Sequence, residues 1–118
     1  MVTKSAAAIS SCLSAEKLKL HGNSLSSQKK FSEAVAAYDE ATSLDPSNVA
    51  IRSNKAAALL ELGKLDEAIE VCNEALKIGA ASTEQRAKLY QRLATAFLKA
   101  GDTRKGKDEA PAFFRFIA

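Results

Sequence analysis

Cationic and carboxamide residues recur at helical spacing in three parts of the chain. Lys19 and Asn23 are four residues apart, Lys88 and Arg92 are also four apart, and Asn54 lies between the two pairs. Residues four apart share one face of a helix. Lysine supplies a point charge, carboxamides supply directional donors without repulsion, and arginine supplies a planar fork of donors. Brought together, these five side chains would form an anion receptor suited to a terminal carboxylate beside an acidic side chain.

Groups for catalysis or metal binding are few. The 118 residues include one histidine, His21, and no GxGxxG, GxxxxGK[ST], HExxH or GxSxG motif. We expect His21 to lie at the edge of helix packing, and we expect no metal site, no cofactor and no enzymatic activity. Cys12 and Cys72 are 60 residues apart without a CxxC motif, which favours a reducing compartment, the cytosol or the nucleus. We expect a cytoplasmic location. No apolar run reaches the roughly 18 residues that cross a membrane.

A repeat of 34 residues organises the sequence. The segment 31–35 (FSEAV) reappears as 65–69 (LDEAI), and within each copy the apolar residues fall at the spacing of one helical stripe. Ser32 and Asp66 are predicted to be the N-caps of these two helices. Another helix precedes each copy, over about residues 15–26 and 50–62. We expect Gly63 to end the latter, and Ser47 or Asn48 to cap its start.

The repeated helix–turn–helix unit resembles the tetratricopeptide repeat. The signature positions are occupied in the first unit by Leu18, Gly22, Leu25, Ala34, Tyr38, Ala41 and Pro46, and in the second by Ala56, Leu59, Gly63, Ala68, Cys72 and Ala75. The resemblance implies an all-α right-handed superhelix of antiparallel helix pairs. We expect a tetratricopeptide domain over residues 15–110, with repeats at about 15–48, 49–86 and 87–110. Residues 1–14 are predicted to be a tail or an extension of the first helix.

The third repeat is predicted to be degenerate. Its first helix, with Tyr90 and Phe97 at core positions, begins four residues late, and the extra residues should lengthen the preceding helix or loop. Its second helix is expected to start near Asp102, but Pro111 interrupts it. The apolar tail 111–118 has two interpretations: a cap folded on the last helix, or a surface through which two copies associate.

The five anion-binding residues resemble the carboxylate clamp of chaperone-binding tetratricopeptide domains. The motifs Lys-x-x-Gly-Asn, Asn before Lys-Ala-Ala, and Lys-x-x-x-Arg begin here at Lys19, Asn54 and Lys88. The resemblance implies binding of the C-terminal Glu-Glu-Val-Asp tails of ninety- or seventy-kilodalton heat-shock chaperones. Lys19, Asn23 and Asn54 would hold the terminal carboxylate, Lys88 the aspartate, and Arg92 groups further upstream. The connection around Ile78 and Gly79 resembles the middle domain of heat-shock organising co-chaperones, which implies a preference for the ninety-kilodalton class.

The net charge of +3 is unevenly spread. Residues 1–30 carry five lysines and one acid, residues 31–84 carry four bases and ten acids, and residues 85–118 carry eight bases and three acids. The two basic blocks contribute both walls of the expected groove. Lys29-Lys30 and the basic residues of 104–107 could also indicate nucleic-acid binding, but no nucleic-acid-binding motif supports that interpretation. We expect neither nucleic acid nor a membrane as a partner. Two alternatives stay open: a scaffold for another acidic peptide, and the targeting module of a larger phosphatase or prolyl isomerase.

Overall fold

Five helices make up the part of the chain that the computed structural model describes, residues 6–79 and 81–103. They are α1 (Ala6–Ser27), α2 (Phe31–Leu44), α3 (Val49–Leu62), α4 (Leu65–Leu76) and α5 (Thr83–Thr103). α1 pairs with α2 and α3 with α4 across short turns, α2 packs on α3, and α5 packs on both α3 and α4. No strand occurs among the described residues. The predicted all-α stack of helix pairs is confirmed.

Small side chains let the helices approach closely and form two core clusters. Between α1, α2 and α3 the buried residues are Ala15, Ala34, Tyr38, Ala41, Ile51 and Ala58. Between α3, α4 and α5 the buried set includes Leu59, Ala68, Cys72, Ala75, Leu89, Leu93 and Ala96. Most of these positions follow the repeated apolar stripe of the sequence. Burial of that stripe against the neighbouring helices, rather than helix propensity alone, stabilises helices of 12 to 14 residues.

The first helix of each pair ends in the same way in both repeats. Lys30 N donates to the Leu25 carbonyl, and 34 residues later Lys64 N donates to the Leu59 carbonyl. Each closure requires a left-handed residue just past the helix. Gly63 fills that position with φ 79°, as predicted, whereas Lys29 fills it with φ 63°. This backbone conformation is unfavourable for a residue with a side chain. The turn of the first repeat therefore has a conformational free-energy cost that the glycine of the second repeat avoids.

The predicted N-caps are partly wrong. α2 and α4 begin at Phe31 and Leu65, so the cap positions belong to Lys30 and Lys64, neither of which makes a side-chain cap bond. Ser32 and Asp66 therefore lie inside the first turn. Asn48 does cap α3, because its carboxamide oxygen accepts from Ile51 N at 3.2 Å.

The third repeat departs from the prediction in two respects. Tyr90 is 42% exposed rather than in the core, where Leu89 and Leu93 lie instead. α5 continues through Thr103, so Asp102 lies inside α5 rather than at the start of another helix. The extra residues fall in the connection after Leu76 and do not lengthen α4. There Ser82 Oγ accepts from Gln85 N at 3.1 Å, and Gln85 Oε1 accepts from Ser82 N at 2.9 Å, a reciprocal cap that starts α5.

Two predicted features lie outside the described residues. They are the degenerate second helix of the third repeat, beyond Thr103, and the apolar tail 111–118 with its two interpretations. At the other end, α1 begins at Ala6 and so extends well ahead of residue 15.

Candidate functional site

Asn23 and Asn54 meet across the first two helix pairs. The Asn54 Nδ2 group of α3 donates to Asn23 Oδ1 of α1 at 3.0 Å, although the two residues are 31 apart in sequence. Both side chains are half-buried. The repeat places the first helices of successive pairs side by side, and this bond joins them. It leaves both Nδ2 hydrogens of Asn23 and one of Asn54 available to a ligand.

Tyr38 of α2 supplies a second donor to the same oxygen. Its hydroxyl lies 2.6 Å from Asn23 Oδ1. The ring is 2% exposed, and this burial raises the pKa of the phenol, against the opposing effects of Ser26 and the Arg92 guanidinium. The phenol is therefore a neutral hydrogen-bond donor at physiological pH. Sequence reasoning placed Tyr38 in the core, as the structure does, but missed the role of its hydroxyl.

Lys19 lies one helical turn before Asn23 on α1. Its Nζ is 3.2 Å from Glu16 Oε2, and the side chain is 19% exposed. On the adjoining helices, Lys55 of α3 makes a 2.6 Å ion pair with Asp39 of α2. Each of these lysines already has one carboxylate beside it. A bound acidic ligand would therefore compete with Glu16 for the ammonium group of Lys19. The three-residue spacing of Glu16 and Lys19 on a helix is a signal in the sequence that could have predicted this ion pair.

Arg92 lies on α5, which packs against α3 and α4. Its guanidinium acts electrostatically on both the Tyr38 phenol and the Cys72 thiol, opposing the rise that burial causes in the pKa of each group. The side chain is half-buried, and its Nε is buried without a hydrogen-bond partner among the described residues. Buried donors are seldom left unpaired in proteins. Arg92 thus has donor capacity to spare for a ligand.

Lys88 is more exposed than the other four predicted residues, which are half-buried. It lies one turn before Arg92 on α5 and is exposed, and it makes no ion pair within the described part of the chain. The structure therefore joins Asn23 and Asn54 directly and sets Lys19 one helical turn before Asn23. Among the described residues, Arg92 is connected to this group only through its electrostatic effect on Tyr38. Lys88 lies one turn from Arg92, and no ion pair joins it to the other predicted residues in the described part of the chain.

A second concave surface lies on the opposite side of α1. It is lined by His21, Leu25, Glu33, Ala36, Ala37 and Glu40. Residue 21 is two positions from both Lys19 and Asn23 and therefore faces away from them on a helix of 3.6 residues per turn. Across the described ranges, no three His, Cys, Asp or Glu side chains form a group that could hold a metal ion. No described helix is both long and apolar enough to span a membrane.

A family profile, described as Tetratricopeptide repeat, matches residues 19–83. The chain belongs to the tetratricopeptide repeat family. Among curated proteins, the TPR repeat-containing thioredoxin TTL4 of Arabidopsis thaliana is 39% identical over 105 residues, which are 89% of this chain and 14% of that protein. The chain thus spans about one seventh of that relative's length.

Two solved tetratricopeptide structures are similar over most of the chain. The N-terminal domain of stress-induced protein-1 (STI-1) from C. elegans is 34% identical with a TM-score of 0.72, covering 84% of this chain and 77% of that one. The second TPR of Spaghetti (RPAP3), solved with the HSP90 peptide SRMEEVD, is 25% identical with a TM-score of 0.68, covering 77% and 81%. The expected likeness to co-chaperone tetratricopeptide domains is confirmed.

Proposed function

We propose that this tetratricopeptide chain is a peptide-binding adaptor that docks the acidic C-terminal Glu-Glu-Val-Asp tail of a heat-shock chaperone and performs no reaction itself. Lys19, Asn23 and Asn54 hold the terminal carboxylate. Lys88 pairs with the aspartate, and Arg92 pairs with groups further upstream in the peptide.

The observation that carries the proposal is the Asn54–Asn23 hydrogen bond. It sets two carboxamides side by side with N–H donors to spare, one turn from Lys19. On α5, the half-buried Arg92 has an Nε without a hydrogen-bond partner among the described residues. A terminal carboxylate has two oxygens that accept several such bonds. The RPAP3 domain with HSP90 peptide and the STI-1 domain have the same fold as this chain, which supports a chaperone tail as the ligand.

Moderate affinity is expected of an open groove. Charge-assisted hydrogen bonds contribute about 1.5–3 kcal/mol each, but solvent, salt and the ordering of a flexible peptide offset much of that gain. A Kd on the order of micromolar follows. Electrostatic steering by the basic residues should speed association at low salt and weaken as ionic strength rises.

The finer parts of the proposal are a preference for the ninety-kilodalton class and a cytoplasmic location. The peptide in the RPAP3 structure comes from HSP90, which favours that class over the seventy-kilodalton one.

A second candidate is the targeting module of a longer protein. The relative TTL4 favours this candidate, because the region that matches this chain is only 14% of the TTL4 sequence. Peptide binding would be the same in that case, and the recruited activity would belong to the rest of the protein.

Titration with a peptide ending in Glu-Glu-Val-Asp, compared with its C-terminal amide, tests the function. We expect the acid to bind at least about tenfold more tightly, since the amide loses a charge that several donors share. Arg92→Ala should weaken binding of the acid. The exposed Arg86 on the same helix gives a matched control, because Arg86→Ala removes an equal charge. Equal affinities for acid and amide would refute the proposal.

A further inference from the structure

The hydroxyl of Tyr38 is a polar atom in an otherwise apolar cluster. Its ring is packed among alanines and Ile51 between α1, α2 and α3. Phenylalanine would fill almost the same space, so packing alone does not require the oxygen. Buried phenols are hydrogen-bonded in proteins, and this one bonds to Asn23 Oδ1, an atom of the proposed carboxylate site.

The distances define which atom of the Asn23 carboxamide faces Tyr38. A separation of 2.6 Å is typical of a hydroxyl donating to an oxygen and short for any bond that involves nitrogen. Asn54 Nδ2, 3.0 Å away, donates to the same oxygen. Two donors on Oδ1 place Nδ2 of Asn23 on the other side of the amide, where its hydrogens are free for a ligand.

Without the Tyr38 phenol, the orientation of the Asn23 and Asn54 carboxamides would not be fixed. Two neighbouring carboxamides can share one hydrogen bond in either sense, with Asn54 donating to Asn23 or Asn23 donating to Asn54. The second sense presents the Asn23 oxygen to the ligand, and an oxygen repels a carboxylate. The Tyr38 hydroxyl favours the first sense by donating to that oxygen.

We propose that Tyr38 is a positioning residue for the peptide carboxylate, and that its hydroxyl orients the Asn23 and Asn54 carboxamides with their N–H groups toward the ligand. The inference rests on the proposed function for its ligand, while the orientation itself is a property of the free protein. Tyr38 does not itself touch the peptide. It acts through Asn23.

The test is Tyr38→Phe, with Tyr90→Phe as the control that removes the hydroxyl of the other tyrosine. The acid peptide should bind about two- to tenfold more weakly to Tyr38→Phe, the value expected for one neutral hydrogen bond. The amide peptide should lose less, so the ratio of the two affinities falls. A role in folding alone would change stability and leave that ratio as in the wild type.

A readout without ligand keeps the proposal separate from the proposed function. The chain has four asparagines, Asn23, Asn48, Asn54 and Asn73, so selective ¹⁵N labelling yields four side-chain amide pairs, assigned by single Asn→Ala variants. Tyr38→Phe should shift the Asn23 and Asn54 amide resonances and leave the other two in place. Unchanged resonances, or an unchanged acid-to-amide ratio in a folded Tyr38→Phe protein, overturn the positioning role. Equal binding of acid and amide by the wild type would instead refute the proposed function, and the amide shifts would still decide the role of Tyr38.

Discussion

The backbone of Gly22 lies against the ring of Tyr38, so closely that a Cβ on residue 22 would come within 2.5 Å of Cε1 of the tyrosine. Gly22 immediately precedes Asn23, and Tyr38 donates to Asn23. Close approach of α1 and α2 at this point therefore brings the phenol within reach of the carboxamide. The glycine serves the core and the candidate site at once.

Gly22→Ala should destabilise the fold. The added methyl group overlaps a ring that is 2% exposed and has little room to move, and overpacking of this kind costs about 1–3 kcal/mol. Urea unfolding followed by circular dichroism measures the change. Gly101→Ala is the control, since a Cβ there meets no atom of the described residues within 4 Å and alanine favours helix. Equal stabilities for Gly22→Ala and the wild type would contradict the close contact.

Lys29→Gly should stabilise the chain. Lys29 adopts φ 63° at the end of α1, a conformation that costs a residue with a side chain about 1 kcal/mol and costs glycine almost nothing. We expect a gain of about 0.5–1 kcal/mol in the free energy of unfolding, measured by urea denaturation. Gly63→Ala at the equivalent position of the second repeat should have the opposite effect. A loss of stability in Lys29→Gly would show that the lysine side chain makes a compensating interaction.

Glu16→Gln should strengthen binding of the acidic peptide. Glu16 lies 3.2 Å from Lys19, so its charge competes with a ligand for the same ammonium group. Exposed ion pairs are worth up to about 1 kcal/mol, which corresponds to an affinity gain of about two- to fivefold at low salt, and the gain should shrink as salt rises.

Glu33→Gln separates a local effect from a change of net charge. Glu33 is exposed on α2 and lines the concave surface on the far side of α1. Both substitutions remove one negative charge from the chain. If isothermal titration calorimetry gives the same gain for both variants, Glu16 does not act through Lys19.

Stability should fall as pH rises from about 9 to about 11. Burial raises the pKa of Cys72 from 9.0 to about 11, so across this window the unfolded chain releases the thiol proton while the folded chain keeps it. Stability then decreases with pH, because the folded state binds more protons. Well below pH 9 the thiol is protonated in both states and contributes no slope. A loss of about 1–3 kcal/mol is expected over the window.

Cys72→Ala gives the comparison for that pH profile. The variant loses some packing at every pH, but its unfolding free energy should decline less steeply between pH 9 and 11 than that of the wild type. Parallel profiles from urea titrations would rule out Cys72 as the source of the slope.

The sequence predicts the fold well because its signals are local and repeated. The 34-residue offset, the apolar stripe and Gly63 each correspond to a helix, a buried face and a turn in the structure. The two wrong caps have a physical explanation: Phe31 and Leu65 enter their helices ahead of Ser32 and Asp66, because packing of the apolar face outweighs capping preference. Tyr90 is exposed because Leu89 and Leu93 turn the core-facing side of α5 away from it.

The candidate site is less predictable from sequence than the fold. Helical spacing alone pairs Lys19 with Asn23 and Lys88 with Arg92. The contact between Asn23 and Asn54 depends on how closely α1 and α3 approach, and the bond from Tyr38 depends on the phenol rotamer within the core. Neither quantity is encoded in a local pattern, so the role of the tyrosine hydroxyl emerges only from the three-dimensional arrangement.

The Asn23–Asn54 bond also has a mechanical consequence. α1 and α3 otherwise touch only lightly, since most of their contact runs through α2. Each unit of a repeat array contacts only its neighbours. The hydrogen bond between Asn23 and Asn54, which are 31 residues apart in sequence, therefore connects the first helices of two neighbouring units. The pitch of the superhelix between the first two repeats is thereby restrained, so stretching of the array must break this bond before α1 and α3 can separate.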